Sequence, residues 1–445
     1  MAEEPAVKAA EEIASQLGED RVLLEDLDRS SYSYDASGII SIPSAVVRPS
    51  DVEDVSFIME AANRYGVPVT PRGSGTSLVG GPLPIEGGIV VDMQMMNGIL
   101  DKDDYSGLIR VEAGVKVLEL NKVFPDRFMP INPDGAGFST VGGLIAEDAA
   151  SPLSAKYGTM KDLVIGVELV LPSGEVILVE QPGPPSKWNT LGLLLGSEGT
   201  LGIFTSAYLR LPPRPESRRA FVIEFSDVSD SITVQNTLEK EGMGVMGFEV
   251  YHNYREVVEG GGTEALAYLE LAGKEECVDI WSSRLREVLD SMEIEHEEAD
   301  LDEVEDIWIR RKGIYEIARS RESAIKVVSM RVHPHLVRDA VQEIDRTGSR
   351  MKLPVVTVFD PPLGWVMAIF LYDPTNEKEV ERTEKAAQNV INRTVSLGGS
   401  VGFGTGVGVN RITQDMDEGF VSIFSKVKEV LDPSWIMNPG KLIER

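Results

Sequence analysis

The sequence predicts an α+β fold with more than one domain, and three observations carry that prediction. Short apolar runs of strand length alternate with amphipathic helical segments, without the regular βαβαβ rhythm of a doubly wound sheet. The chain has 445 residues and is 42% hydrophobic, which at roughly 150 residues per domain suggests two or three domains with real cores. A proline-rich stretch, Leu211-Pro212-Pro213-Arg214-Pro215, separates a glycine-rich first part from a second part with longer, more charged helices.

In chain order, Pro5 to Leu17 reads as a first helix, with Val7, Ala10, Ile13, Ala14 and Leu17 on one face and Gly18 as its stop. A short strand, Ala45 to Arg48, follows. Ser50-Asp51-Val52-Glu53 has the pattern of a capping box, and the helix it opens carries Val52, Val55, Ile58, Met59, Ala62 and Tyr65 as its apolar stripe. Gly66 to Thr70 turns back into a strand. Ile89-Val90-Val91, Leu108 to Val111 and Leu163 to Leu171 are further β-like runs. Pro172 to Glu175 supplies a turn, so Val176 to Val179 pairs back on the last of these. Residues 293–306 are strongly acidic and read as a solvated face or loop. A final amphipathic helix spans Phe420 to Leu431, before Asp432-Pro433. The sequence shows no internal repeat.

Composition excludes several classes. Lys plus Arg is 43 against 72 Asp plus Glu, a net charge of −29. That balance opposes binding to nucleic acid or to an anionic membrane surface. The single cysteine, Cys277, excludes an internal disulfide, a four-cysteine zinc site and a self-contained iron–sulfur cluster. The sequence has no apolar run of the roughly 18–20 residues that a membrane helix needs. The acidic, amphipathic N-terminus is unlike a signal peptide, so a cytoplasmic location is the default expectation.

Three loops of small and hydroxylic residues point to a ligand. Pro71-Arg72-Gly73-Ser74-Gly75-Thr76-Ser77 follows a strand and exposes several backbone N–H groups, as a pyrophosphate cradle does. Ser139-Thr140-Val141-Gly142-Gly143 is the second, and Gly196 to Ile203, with Ser197, Glu198, Gly199 and Thr200, is the third. Three such loops in one domain suit an extended ligand with two phosphates.

At these residues the chain resembles the FAD-binding superfamily typified by vanillyl-alcohol oxidase (the PCMH type). Within it, the chain is similar to the branch of glycolate oxidase FAD subunits and D-lactate or D-2-hydroxyglutarate dehydrogenases. The strings that carry the resemblance are PRGSGTSLVGG (71–81), GGIVVDMQMMNGIL (87–100), VEAGV (111–115), STVGG (139–143), KYG (156–158), GSEGTLGIFT (196–205) and NPGK (438–441). The resemblance implies a two-part FAD-binding domain over residues 1–212. It implies a cap domain with an antiparallel sheet over 213–405, and a C-terminal segment, 406–445, that returns to the FAD domain. It implies FAD contacts from Pro71, Arg72, Gly73, Ser74, Gly75, Thr76 and Ser77, from Pro133, Asp134, Ser139, Thr140, Gly142 and Gly143, from Tyr157 and Gly158, and from Glu198, Gly199, Ile203 and Asn438. Some superfamily members attach FAD through a histidine in the first loop. Gly73-Ser74-Gly75-Thr76 has none, so non-covalent FAD is expected.

In this family the catalytic half must orient a substrate carboxylate, remove a hydroxyl proton and pass hydride to the flavin. A carboxylate calls for Arg or Lys, and the proton calls for a base, usually His. Trp308-Ile309-Arg310-Arg311 resembles the family's tryptophan-plus-arginine motif and puts the substrate arginine at Arg311; Lys326 follows fifteen residues later. The metal motif His-x-Gly-Asp-Gly-Asn-x-His is replaced by Phe359-Asp360-Pro361-Pro362-Leu363-Gly364-Trp365-Val366, so no metal is expected. Where the family has Glu-His after its glycine-rich string, this chain has Gly404-Thr405. His333 and His335 are expected on one side of a strand, and His252 and His296 on the surface. A 2-hydroxy-acid dehydrogenase acting on a small carboxylate is the first reading. A non-catalytic or electron-relay FAD subunit, with an iron–sulfur partner, is the second. A less polar substrate in a pocket lined by Phe359 and Val366 is the third. A homo-oligomer remains open.

Overall fold

The computed structural model describes residues 3–133, 135, 137–180, 189–254, 257, 264–299, 324–413 and 416–445. The chain forms two units, one of residues 1–150, 159–213 and 404–445, the other of residues 151–158 and 214–403.

The first unit holds two sheets. β1 (Val22–Leu23), β2 (Ala45–Val47), β3 (Val69–Arg72) and β4 (Ile89–Asp92) line up in the order β1-β2-β4-β3, with β2 and β3 both parallel to β4. Ala45, Val46 and Val47 are fully buried, which is why the run is continuously apolar instead of alternating. Helices Glu3–Leu17 and Val52–Tyr65 pack together beside this sheet. The second helix is capped one residue later than the sequence pattern suggests. Asp51 is the N-cap and accepts from the Asp54 amide, while Ser50 bonds the Asp54 carboxylate. An Asp accepts the free amide as readily as a Ser.

The second sheet runs β5-β6-β9-β7-β8, all antiparallel, from β5 (Ile99–Asp103), β6 (Leu108–Glu112), β7 (Val164–Val170), β8 (Val176–Glu180) and β9 (Ile203–Arg210). The turn joining β7 to β8 touches helix Val52–Tyr65. Gly174 has φ +89°, an added Cβ there would lie 2.5 Å from Glu60 Cγ, and Ser56 Oγ donates to its carbonyl at 2.6 Å.

The C-terminal segment closes this unit. Val69 N donates to Ile436 O, and Asn438 N donates to Val69 O, each at 2.7 Å. Residues 436–438 thus run along the free edge of β3 and cover its unpaired groups. Helix Glu418–Leu431 brings Lys428 into the interior, where it is 2% exposed. Its ammonium donates to Thr200 O at 2.7 Å, to Met437 O at 2.8 Å and to the Asp432 carboxylate.

The second unit is one antiparallel sheet in the order β13-β10-β12-β11-β15-β16-β14-β17. Its strands are β10 (Ser217–Phe225), β11 (Val245–His252), β12 (Ala265–Gly273), β13 (Glu295–Ala299), β14 (Ala324–Arg331), β15 (Val355–Asp360), β16 (Trp365–Tyr372) and β17 (Ser400–Val401). Helices Val228–Lys240 and Glu275–Ser291 sit among the first four strands, and helices Val337–Met351 and Glu377–Ser396 among the last four. Each half therefore reads strand–helix–strand–strand–helix–strand, a split βαβ arrangement. The second strand of each half, β11 and β15, join the halves through Val250–Phe359, Tyr251–Val358 and His252–Thr357. This corrects the expectation of no internal repeat: the repeat lies in the order of elements, not in residue identity. Part of the acidic run is also corrected, because Glu295–Ala299 is edge strand β13, paired with β10. Charged side chains suit an edge strand because they discourage further pairing.

Lys428 makes a direct stability test. Replacing it with Ala leaves Asp432, which is 1% exposed, as a buried charge without its cation, a cost of about 3–5 kcal/mol. Denaturant unfolding of Lys428→Ala against the parent protein measures this loss, and a shift under about 1 kcal/mol contradicts it.

Candidate cofactor pocket

The three loops meet in one cleft of the first unit. Residues 71–77 leave β3 and form one wall. Ser139, Thr140, Gly142 and Gly143 form a second, and Glu198, Gly199 and Ile203 a third. The loops are in close contact. Thr76 Oγ1 and Ser139 Oγ are 3.0 Å apart, and Ser74 Oγ donates to Phe138 O. A Cβ on Gly73 would lie 2.2 Å from Thr140 Oγ1, so only glycine lets the two loops approach this closely.

The floor is polar and cationic. Arg72 is 6% exposed and stacks over Tyr32 at 5.7 Å. Its Nη2 donates to Tyr34 O at 2.8 Å. Its Nη1 has no partner among the described residues, and burial lowers its pKa against the raising effects of Asp35 and Asp92. Burial also pushes the Asp35 carboxyl up. Gly75, at φ +72°, keeps clear of the guanidinium, since a Cβ there would meet Nη2 at 2.1 Å. Among the described residues, the amides of Gly73 to Ser77 donate to no backbone or side-chain acceptor. An orphaned buried guanidinium N–H beside five free amides fits an anionic diphosphate.

The far wall comes from the C-terminal segment: Thr405 and Gly406 line the cleft. Glu198, at φ +52°, accepts from Val407 N at 2.6 Å and Gly408 N at 2.7 Å. Asn438 Nδ2 donates to Glu198 O at 2.8 Å and to Gly81 O at 3.2 Å. Asn438 therefore supports the wall without lining it. Lys441, 2% exposed, donates to Leu83 O; burial lowers its pKa to about 8, opposed by Glu198, Asp35 and Glu86.

The expected site residues divide clearly. The structure brings together residues 71–77, Ser139, Thr140, Gly142, Gly143, Glu198, Gly199 and Ile203. Pro133 is described but does not line the cleft; Asp134 lies outside the described residues. Tyr157 and Gly158 belong to the second unit, where burial, then Glu270, raises the Tyr157 pKa. The cleft also includes Glu147, Thr405 and Gly406. Glu147 follows Gly142-Gly143 by a few residues, which was the available sequence signal. Thr405 and Gly406 arrive only through the long-range return of the chain.

The second unit places the remaining candidates. Arg311 lies outside the described residues. Lys326 forms an ion pair with Glu384 at 3.0 Å. Phe359 and Val366 are direct cross-strand partners, 1% and 0% exposed. Met330 pairs with Val366 and receives a hydrogen bond at its sulfur from Thr394 of helix Glu377–Ser396. The two positions therefore lie on the helix-packed face of the sheet. This corrects the idea that they line a pocket for a less polar substrate; they are core. Asp360, Trp365 and Arg331 occupy the alternate positions, on the opposite face.

The histidines also differ from expectation. His252 is 3% exposed, not a surface residue, and its Nε2 lies 2.8 Å from Asp345 Oδ2. His296 is half-buried on β13. β14 ends at Arg331, so His333 caps a 3-10 turn, Pro334–Leu336, and His335 lies within it instead of the two sharing a strand face; their ring centroids are 4.2 Å apart. No group of three or more metal-ligating side chains forms among the described residues.

This architecture and cleft define a flavin-dependent oxidoreductase. The comparisons with known proteins agree. Residues 43–180 match the family model described as FAD binding domain, and residues 214–442 match FAD linked oxidases, C-terminal domain. The chain belongs to this family of FAD-linked oxidases. It is 28% identical over 440 residues to the glycolate oxidase subunit GlcD of Bacillus subtilis, covering 94% of this chain and 93% of that one. It is 28% identical to the mitochondrial D-lactate dehydrogenase [cytochrome] of Arabidopsis thaliana, covering 91% of this chain and 74% of that one. In fold it resembles p-cresol methylhydroxylase with substrate bound, with a TM-score of 0.80 and 18% identity over 99% of this chain and 97% of that one. FAD is the cofactor of the family, and the cleft's free amides and orphaned guanidinium suit it. No described helix is long and apolar enough to cross a membrane.

Gly73→Ala tests the cleft. The added methyl collides with Thr140 and should weaken FAD binding by about tenfold or more, about 1.4 kcal/mol. Gly137→Ala, with open space around its Cβ, should bind as the parent does. Fluorescence titration of apoprotein with FAD reads both, and equal affinities would remove the first loop from the site.

Proposed function

We propose that the protein dehydrogenates a small 2-hydroxy acid. The observation that carries this reading is the phosphate-loop cleft within a chain that aligns over nearly its full length with glycolate and D-lactate oxidoreductases. When bound, FAD supplies the hydride acceptor. The chain's own tasks are to hold the substrate carboxylate and to accept its hydroxyl proton. The reading assigns the carboxylate to Arg311, since a guanidinium offers a bidentate fork. Lys326 already has Glu384 as a partner, so its part is secondary. Electrons then leave to an external acceptor, because the single Cys277 cannot hold a cluster; an iron–sulfur partner protein suits that task. FAD is held non-covalently in this reading, and a cytoplasmic setting and a possible homo-oligomer complete it.

One observation favours a second reading, that of an electron-relay or non-catalytic FAD subunit. The buried Phe359–Val366 pair has no atom that can ligate a metal or take a proton. Thr405, where the resembled family has its base, is a hydroxyl that donates to Gly406 O. It cannot act as a base near neutral pH without activation.

Anaerobic mixing with D- and L-2-hydroxy acids decides between them. Bleaching of the flavin band by at least one member, and loss of that bleaching by about 10²-fold or more in Arg311→Met, supports the first reading. A band unchanged by every member supports the relay reading.

A further inference from the structure

Two glutamates line the cofactor cleft. Glu147 ends helix Val141–Glu147, and Glu198 comes from the third loop. They flank Gly406, where an added Cβ would lie 3.0 Å from Glu198 Oε1 and 3.5 Å from Glu147 Cβ. The donors are divided unevenly. Glu198 takes the amides of both Val407 and Gly408; burial raises its pKa, opposed by those two amides and by the charge of Lys441. Among the described residues, no hydrogen bond reaches the Glu147 carboxyl. The adjacent Asp148 is held separately, by Thr159 Oγ1, the Lys161 amide and the Lys161 ammonium. Two acids whose charges oppose one another do not both ionise readily. The two amide donors and Lys441 favour charge on Glu198 over charge on Glu147. Burial, then the charge of Glu198, raises the Glu147 pKa well above the ordinary carboxylate range.

We propose that Glu147 is a neutral carboxylic acid in the cleft and donates a hydrogen bond to an acceptor of bound FAD, so that FAD affinity depends on this proton. The inference rests on the reading of the cleft as the FAD site. A neutral acid suits such a ligand twice. It offers an O–H donor to a cofactor rich in carbonyl and ring-nitrogen acceptors, and it adds no second negative charge near a diphosphate.

The sign follows from linkage. The binding form carries the proton, so affinity is constant below the Glu147 pKa. Above it, affinity falls by up to about tenfold per pH unit. The other charged groups on the cleft wall are Glu198 and Arg72, with Asp35 behind Arg72 and Lys441 behind Glu198. Lys441, whose pKa is lowered to about 8, titrates within the pH range of the experiment. Its contribution survives replacement of Glu147, so a variant separates the two.

The experiment is a fluorescence titration of apoprotein with FAD from about pH 6 to about pH 9.5. For the parent, the Kd should rise with pH with a slope approaching tenfold per unit. Glu147→Gln keeps an N–H donor and cannot ionise, so its Kd should be nearly flat over the range. Glu147→Ala should be equally flat but about tenfold weaker at the acid end, the loss of one hydrogen bond. Circular dichroism of each apoprotein checks that the fold is kept. A flat parent profile, or one whose slope persists in Glu147→Gln, overturns the role of Glu147 while leaving the FAD site standing. Failure of the parent to bind FAD at any pH overturns the reading of the cleft and this inference with it.

Discussion

The carboxylate of Glu198 is the fastening on which the cofactor cleft depends. It sits on a residue at φ +52°, an unfavourable conformation for a side chain larger than glycine's. Such strain persists only where surrounding contacts determine it. Here the contacts come from more than two hundred residues away: Val407 N and Gly408 N bond the carboxylate, and Asn438 bonds the carbonyl. The third phosphate loop therefore takes its shape only when the C-terminal segment has returned. Lys428 secures the same junction by bonding Thr200 O on one side and Met437 O on the other. Loop closure over so long a separation costs only slowly more entropy with length, so an inserted unit of this size is tolerated between the two partners.

The inserted unit solves its own packing problem by duplication of topology. Each half of its sheet has two helices and four strands in the same order, and β11 meets β15 to make one continuous sheet. The halves share no residue pattern strong enough to see in the sequence. Burial on the helix-packed face asks only for apolar side chains at alternate positions, and many sequences meet that demand. Repetition at the level of elements can therefore persist after repetition of residues has gone.

Much of the cofactor cleft was legible because its constraints are local. Gly73 and Gly75 leave no room for a Cβ, and such glycines announce themselves in a short string. What was illegible depends on partners distant in sequence. His252 looked like a surface residue in a polar stretch; it is buried, with Asp345, 93 residues on, 2.8 Å from its Nε2. Residues 295–299 looked like solvated acid; they form a strand because β10 presents an open edge. Thr405 and Gly406 enter the cleft only by the fold's long return. The helix cap at Asp51 is a smaller case. Ser50 and Asp51 both have the chemistry of a cap, and only the geometry chooses between them.

The hairpin between β15 and β16 shows how a change of chemistry can leave a fold intact. Its turn puts Phe359 directly opposite Val366, so the resembled family's two histidine positions are neighbours because of the strand register. Imidazoles there would need a metal or hydrogen bonds to offset their burial. Phe and Val need neither, and each gains roughly 1.5–3 kcal/mol from burial. The pair joins Met330 in a dry row under helix Glu377–Ser396. Asp360, one residue on, remains fully buried on the other face, with one carboxyl oxygen unpartnered among the described residues and a pKa raised by burial and by Glu249. At this hairpin one face of the sheet thus carries a buried apolar pair and the other a buried ionisable group. Along the Met330–Val366–Phe359 row the helix-packed face offers only hydrocarbon and sulfur, while the alternate positions of the same three strands carry the ionisable Arg331 and Asp360.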